Sequence, residues 1–417
     1  MGKPFIQPAY VPPETDRVSL RVSRTPKSVV RDILKVIDSP EILSFAGGLP
    51  DDSLFPVHDF AESFAQATKE KGPKLFQYSD TQGHPELRAW IAETYYANVS
   101  PEQILITSGS QQALDLLARY FIDEGDRILI ENPSYLGAIQ SFSSYGPEFL
   151  GIEHSSLESN RDEWNKEWET KVRRKSPKFF YCIPDFQNPS GFSYPLSVRQ
   201  DLADFFARHR IPIIEDVAYR DLYFTNSIPP SIHDFCPENT FSVGTFSKTL
   251  SPGLRVGWIK IPKRNIRDLV VQKQSMDLHS PTINQEIVFR FLESGKFGSH
   301  MENLKKQYFQ KARYTCDRLS EVFGDEVRFR EPKGGLFVWL EFSESLDSNS
   351  LFRYGLNEGV AVVPGESFYV SEPIAGKVRW NFSRATEQET KEGVRRLFRA
   401  WQLLNSDRKS SRETSEE

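Results

Sequence analysis

Between about residues 60 and 300 the chain repeats one rhythm. Short apolar runs alternate with longer segments in which apolar positions recur every three or four residues. The runs are QILIT (103–107), RILIE (127–131), KFFYCI (178–183), IPIIED (211–216), FSVGTFS (241–247) and VGWIKI (256–261). Each is short and almost wholly apolar, which predicts a strand buried on both faces. QQALDLLARYF (111–121) and VRQDLADFFARH (198–209) carry the helical period instead. Alternating strands and amphipathic helices predict an α/β fold with a mostly parallel sheet between helices.

The rhythm changes near residue 305. A long helix over 302–322 precedes VRFREPKGGLFVWLEF, GVAVVPG and VRWNFS, and a closing helix follows near 387–404. That mixture predicts a smaller α+β domain. The expected division is therefore 1–60, an N-terminal arm and capping helix packing with the small domain; 61–305, the large domain; and 306–404, the small domain. In the arm, Val29, Ile33, Val36 and Ile37 share one face of a short helix over 28–37. The segment 405–417, NSDRKSSRETSEE, is charged, Ser-rich and free of aromatics, which predicts a disordered tail.

Composition narrows the function classes. The 417 residues include 38% hydrophobic and 26% charged positions, ample for a sizeable core. The 52 basic and 57 acidic residues nearly balance, which argues against nucleic acid or an anionic membrane as partner. No apolar run is long enough to span a bilayer, and the first residues lack a secretory core. Cys182, Cys236 and Cys316 form neither a CxxC pair nor an even set, so reduced cytoplasmic thiols are expected and no metal site.

In open α/β sheets ligands bind beyond the carboxyl ends of the strands. Five polar segments follow predicted strands there: TSGSQQ, ENPSY, PDFQNPSG, EDVAYRDL and TFSKTLSPGLR. TSGSQQ places Gly109 before a helix whose first amides, at Ser110 and Gln111, point outward. That arrangement suits a phosphate, although an ordinary N-cap is its commoner meaning. EDVAY puts acids at a buried strand end, where a cation or hydrogen bonds must compensate them. TFSKTLSPGLRVGW is the sharpest segment. Thr245, Ser247 and Arg255 are phosphate-type ligands around Lys248, and desolvation there would depress the lysine pKa, as imine chemistry requires.

With these segments the chain resembles the fold-type I pyridoxal 5′-phosphate (PLP) enzymes of the aminotransferase class I/II family. It is most similar to the LysN-like subgroup of 2-aminoadipate and kynurenine aminotransferases. SFAGGLP, QYSDTQGHPELR, DLHSPTINQ, PKGGLFVW and VRWNFS extend the match over about residues 28–403. The resemblance implies a seven-stranded large-domain sheet, PLP as cofactor and amino-group exchange between an L-amino acid and a 2-oxo acid. Its members include other reactions, so a β-lyase, decarboxylase or cyclase is the alternative.

The resemblance also implies roles for individual residues. Lys248 would bind PLP covalently and shuttle the proton. Asp216 would pair with the ring nitrogen, Tyr219 and Asn188 with the ring oxygen, and Tyr135 would stack on the ring. Ser110, Gln111, Thr245, Ser247 and Arg255 would hold the phosphate, joined by Tyr78 of a second subunit in a homodimer with shared active sites. Arg379, with Asn188, would grip the substrate carboxylate, and Gly48 would touch the substrate. Arg31 on the capping helix would meet a distal carboxylate, selecting 2-aminoadipate or glutamate. Without that contact Phe337, Tyr369 and Leu278 would line a space for aromatic or aliphatic side chains. Arg24, Lys27 and Lys35 lie nearby, so Arg31 also fits a solvated basic face. The chain departs from the family's EDDPY in having Val217 and Ala218.

Overall fold

A computed structural model describes residues 18–26, 41–153, 168–170 and 172–416. Its strands are β1 (Leu43–Ser44), β2 (Ile104–Thr107), β3 (Arg127–Asn132), β4 (Glu148–Glu153), β5 (Phe180–Cys182), β6 (Ile213–Asp216), β7 (Thr240–Thr245) and β8 (Gly257–Lys260). Further along come β9 (Phe337–Glu341), β10 (Val360–Ala361), β11 (Val363–Pro364) and β12 (Lys377–Asn381). Seven of them form one sheet in the order β2-β8-β7-β6-β5-β3-β4. All run parallel except β8, which is antiparallel to both β2 and β7.

The predicted apolar runs are β2, β3, β5, β6, β7 and β8. β2, β5, β6, β7 and β8 are buried at every position, as strands covered on both faces must be. β4 is the strand the apolar pattern does not announce. It is EFLGIE at the sheet edge, half-exposed along most of its length, so it needs no continuous apolar run.

The direction of β8 positions the site. Parallel strands bring the loops after β2, β3, β5, β6 and β7 to one end of the sheet. Because β8 runs the other way, its beginning reaches the same end. Gly257 pairs with Thr107 on one side and Thr245 on the other. Arg255, two residues earlier, is thus delivered between the two loops. A Cβ on Gly257 would lie 2.8 Å from Gly109 C and Gly244 O, so only glycine permits this approach.

Helix Ser110–Phe121 packs Ala113, Leu114, Leu116, Leu117 and Ala118 into the core and starts at Gly109, whose φ of +80° turns the chain out of β2. Helix Phe297–Phe323 leads to a three-stranded sheet, β11-β12-β9. β1 pairs with β10 in parallel, so the N-terminal segment joins this part of the molecule. Phe45 then stacks on Trp380 at 3.8 Å, which carries residues 46–48 onto the end of the large sheet.

One sequence expectation differs from the structure and another lies outside the described residues. The last helix runs Glu387–Glu416, where a disordered tail was expected from 405. Leu404 is buried and Tyr354 donates to Asp407, so the helix keeps partners beyond its apolar stretch. At the other end, the expected helix over 28–37 lies outside the described residues, as does Arg31. A short helix is seen at Leu20–Arg24, where Arg24 is ion-paired with Glu124.

Candidate active site

The loops at the carboxyl end of the sheet converge on Lys248. Its Nζ donates to Gly48 O at 2.8 Å and lies 5.9 Å from the centre of the Tyr219 ring. Burial lowers its pKa to about 8; the nearby Arg379 and Arg255 cations add to that effect, and the Asp216 carboxylate opposes it.

Asp216 ends β6. Side chains alternate faces along a strand, so its neighbour Glu215 points the other way. Glu215 accepts N–H bonds from Ile232 (2.6 Å) and His233 (3.1 Å) and does a structural job there. Asp216 instead faces the site, accepting from the Tyr181 hydroxyl at 3.0 Å and the Ala218 N–H at 3.1 Å. Burial nonetheless pushes its pKa up to about 6.

Asn188 bridges two site residues. Its Nδ2 donates to the Tyr219 hydroxyl at 3.2 Å, and its Oδ1 accepts from Arg379 Nη1 at 2.7 Å. Arg379 on β12 also donates to Ala46 O at 2.6 Å and lies over Phe337 (4.4 Å) and Phe368 (5.0 Å). It is 2% exposed, its Nε has no partner, and no carboxylate among the described residues pairs with it. Burial lowers its pKa to about 10.

The second cluster is anionophilic. Arg255, itself in the left-handed region at φ +52°, donates through Nη2 to Ser108 O at 2.8 Å. Its guanidinium covers Gly109 so closely that a Cβ there would lie 2.6 Å from Nη2. The Thr245 hydroxyl accepts the Ser247 N–H (3.1 Å) and lies 2.9 Å from the Ser247 hydroxyl. Ser110 and Gln111 open the adjoining helix, whose first N–H groups face outward.

The structure thus brings together Gly48, Asn188, Asp216, Tyr219, Lys248 and Arg379, and next to them Ser110, Thr245, Ser247 and Arg255. Gln111 is placed differently from the simplest expectation. Its side-chain amide N–H₂ is spent on Gly137 O (2.9 Å) and Ser141 Oγ (2.7 Å), which leaves its backbone N–H in the first turn of the helix as the group available to an anion. The Tyr135 hydroxyl lies 3.5 Å from Gln111 Oε1. Tyr78 stays out in solvent, 78% exposed. Sequence reasoning missed Tyr181, although a tyrosine on the same face as Asp216, one strand away, was the available signal. It also missed Ala46, whose carbonyl leaves no mark in a sequence.

Residues 41–397 match the family model "Aminotransferase class I and II". The chain belongs to the class I and II aminotransferases. It is 41% identical over 381 residues to a 2-aminoadipate transaminase of Thermus thermophilus, covering 90% of this chain and 94% of the relative. It is 35% identical to aromatic-amino-acid aminotransferase 1 of Thermococcus litoralis, over 89% and 90% of the two chains. Among solved structures, Thermus thermophilus LysN in complex with N-(5′-phosphopyridoxyl)-L-leucine superposes with a TM-score of 0.86 and 39% identity, covering 93% of this chain and 98% of that one. The protein is a PLP-dependent aminotransferase of fold type I. The seven-stranded sheet and the α/β class agree with the expectation drawn from the chain alone.

Proposed function

We propose that Lys248, Asp216 and Arg379 do the chemistry of amino-group transfer between an L-amino acid and a 2-oxo acid, with PLP held beside them. One observation carries this reading. Lys248, part-buried, and Arg379, fully buried, lie in one site, both depressed in pKa by desolvation, and neither is ion-paired among the described residues. Cations kept in that state fit anionic ligands that arrive later.

The residues fit PLP at every point. Lys248 would hold it covalently, Asp216 its ring nitrogen, and Tyr219 with Asn188 its ring oxygen. The ring would lie against Tyr135. Its phosphate would take Ser110, the Gln111 N–H, Thr245, Ser247 and Arg255. Asp216 is the sharpest test of fit, because a carboxyl raised by burial is relieved by a cationic partner. Once bound, PLP supplies a carbonyl carbon for the amino group and a ring that takes up an electron pair.

The protein's own groups do the rest. Arg379 binds the α-carboxylate with the N–H groups its two neutral acceptors leave free, and Asn188 fixes its plane. Lys248 Nζ, its pKa lowered to about 8 so that part of it is neutral near physiological pH, takes and returns the α-proton. The Gly48 carbonyl holds that amine at the substrate side.

Phe337, Phe368 and Tyr369 give the site an apolar wall, which supports aromatic and aliphatic side chains. Leu278, 42% exposed, lies at its rim in this proposal. Arg31 would read the distal carboxylate of 2-aminoadipate or glutamate. A homodimer with shared sites is supported by exposed Val57, Phe64, Phe76 and Tyr78 on consecutive segments. A cytoplasmic, reducing setting is supported by three free, buried cysteines.

The test is a single half-reaction. Purified enzyme mixed with one amino acid should release the matching 2-oxo acid and leave pyridoxamine phosphate. Release of carbon dioxide or ammonia instead would favour a decarboxylase or lyase on the same scaffold. Repeating it across dicarboxylic and aromatic donors with Arg31→Ala decides that residue's part: only the dicarboxylic donors should slow.

A further inference from the structure

Behind the proposed phosphate cup runs a relay of polar contacts that none of the roles above uses. It begins at Lys273, on helix Ile266–Asp277, whose side chain is completely buried. Lys273 Nζ donates to Asp277 Oδ1 at 2.7 Å. Asp277 Oδ2 accepts from Gln112 Nε2, also at 2.7 Å. Gln112 Oε1 accepts the Ser108 N–H at 2.7 Å. Ser108 O accepts from Arg255 Nη2 at 2.8 Å.

Each link constrains the next. A buried lysine loses hydration, so it must have a carboxylate or remain costly. Asp277, one turn along the same helix, answers it. With one oxygen committed to the cation, Asp277 offers the other to a donor and thereby orients the Gln112 amide. Both ends of that amide are used, N–H₂ toward the acid and oxygen toward the backbone, so flipping it would break both contacts. The two peptide groups flanking Ser108 are then fixed: Gln112 holds its N–H, and Arg255 takes its C=O. The Gly109 N–H, on the second of these, turns back to Thr107 O at 2.8 Å.

Those peptides lead into the first turn of helix Ser110–Phe121, so they set where its free N–H groups aim. The same relay spends one Nη2 hydrogen of Arg255, Nη1 makes a long contact to Pro252 O at 3.4 Å, and the other guanidinium hydrogens are left for an anion. We infer that Lys273, Asp277 and Gln112 are positioning residues that aim Arg255 and the helix amides at the phosphate of the cofactor. The inference rests on the PLP reading above.

The relay ends at the phosphate side and does not touch Lys248, Asp216 or Tyr219. A ligand with a phosphate should therefore feel its loss, and one without should not. The full-length enzyme, freed of cofactor and reloaded, is titrated with PLP and separately with pyridoxal, which keeps the carbonyl and ring but lacks the phosphate. Gln112→Met keeps the bulk and removes both amide contacts. PLP affinity is expected to fall roughly tenfold, as losing two buried hydrogen bonds implies, with pyridoxal affinity unchanged. Asp277→Asn keeps the shape and should give a smaller loss of the same kind, which decides the matter should Gln112→Met fail to fold. An equal loss for both ligands means the relay is only structural and overturns the inference, as does no loss for either. Failure of the unmodified chain to bind PLP at all would instead sink the cofactor reading, visible before any variant is made.

Discussion

Two buried arginines in this protein are treated in opposite ways. Arg199, fully buried, is saturated. It donates to Asp185 through both Nη1 (3.3 Å) and Nη2 (2.6 Å), and to the carbonyls of Tyr194, Pro184 and Pro230. Asp185 also takes Arg220 at 2.8 Å, so its carboxylate is shared between two arginines. Arg379 is just as buried but has two neutral acceptors, an unpartnered Nε and two aromatic rings. The first arrangement stabilises the fold. The second costs stability in the empty protein, a cost that the carboxylate of the proposed substrate would offset. Lys248, part-buried, repeats the second pattern, held by one carbonyl. The difference separates scaffold charge from site charge without reference to any motif.

The largest test of that separation is Lys248→Ala. Removing the amine proposed to take and return the α-proton should lower turnover by roughly a thousandfold or more. Stability of the cofactor-free protein should not fall, because no ion pair among the described residues is broken. Turnover within tenfold of the parent would show that another base does the work. The sign of the pH effect follows from its pKa. Because burial lowers it to about 8, the neutral amine gains as pH rises through that value. Labelling of the cofactor-free enzyme by an amine-specific reagent at Lys248 should be half-maximal near there. Adding Asp216→Asn should move the midpoint lower, since the carboxylate opposes the shift.

Next in size is the direct comparison of the arginines. Arg199→Met removes one of the two arginines on buried Asp185 and strands three carbonyls. It should destabilise the protein by about 3 kcal/mol in denaturant unfolding. The KM of whatever folds should be unaffected. Arg379→Met should leave the cofactor-free protein as stable as the parent or slightly more so. It should raise KM for the amino acid roughly a hundredfold, the worth of lost charge-assisted hydrogen bonds. If both variants unfold alike, the distinction between scaffold and site charge fails.

How much of this was legible in the chain depends on what each feature is made of. The buried strands announced themselves because parallel strands covered on both faces need unbroken apolar runs. β4 did not, because an edge strand carries no such requirement. The convergence of five loops followed from strand ends alone, and Lys248 from its hydroxyl-rich, arginine-bearing loop. The direction of β8, which delivers Arg255 to Gly109, was not readable, since VGWIKI looks the same in either direction. Arg379 and Asn188 are isolated letters until β12 and the loop after β5 meet. The relay from Lys273 was silent for the same reason: its Gln112–Asp277 link spans 165 residues and its Ser108–Arg255 link 147, and the latter is to backbone.

The smallest effect comes from Asp216 and tests the comparison from the acid side. Its folded pKa is raised from 3.8 to about 6 by burial, so the native cofactor-free protein binds its proton more tightly than the unfolded chain does. Stability therefore falls as pH rises through that window, and the full cost is present above about 6. Asp216→Asn removes the charge but can accept only one of the two bonds now made by Tyr181 and Ala218. The balance should leave the cofactor-free variant about 1–2 kcal/mol more stable than the parent at pH 8. Near pH 4 the parent carboxyl is protonated and the gain should vanish. With PLP bound the order should reverse at pH 8, because only the carboxylate gives the ring nitrogen a counter-charge. A variant that is less stable than the parent at pH 8 in both states would mean that Asp216, like Arg199, belongs to the scaffold.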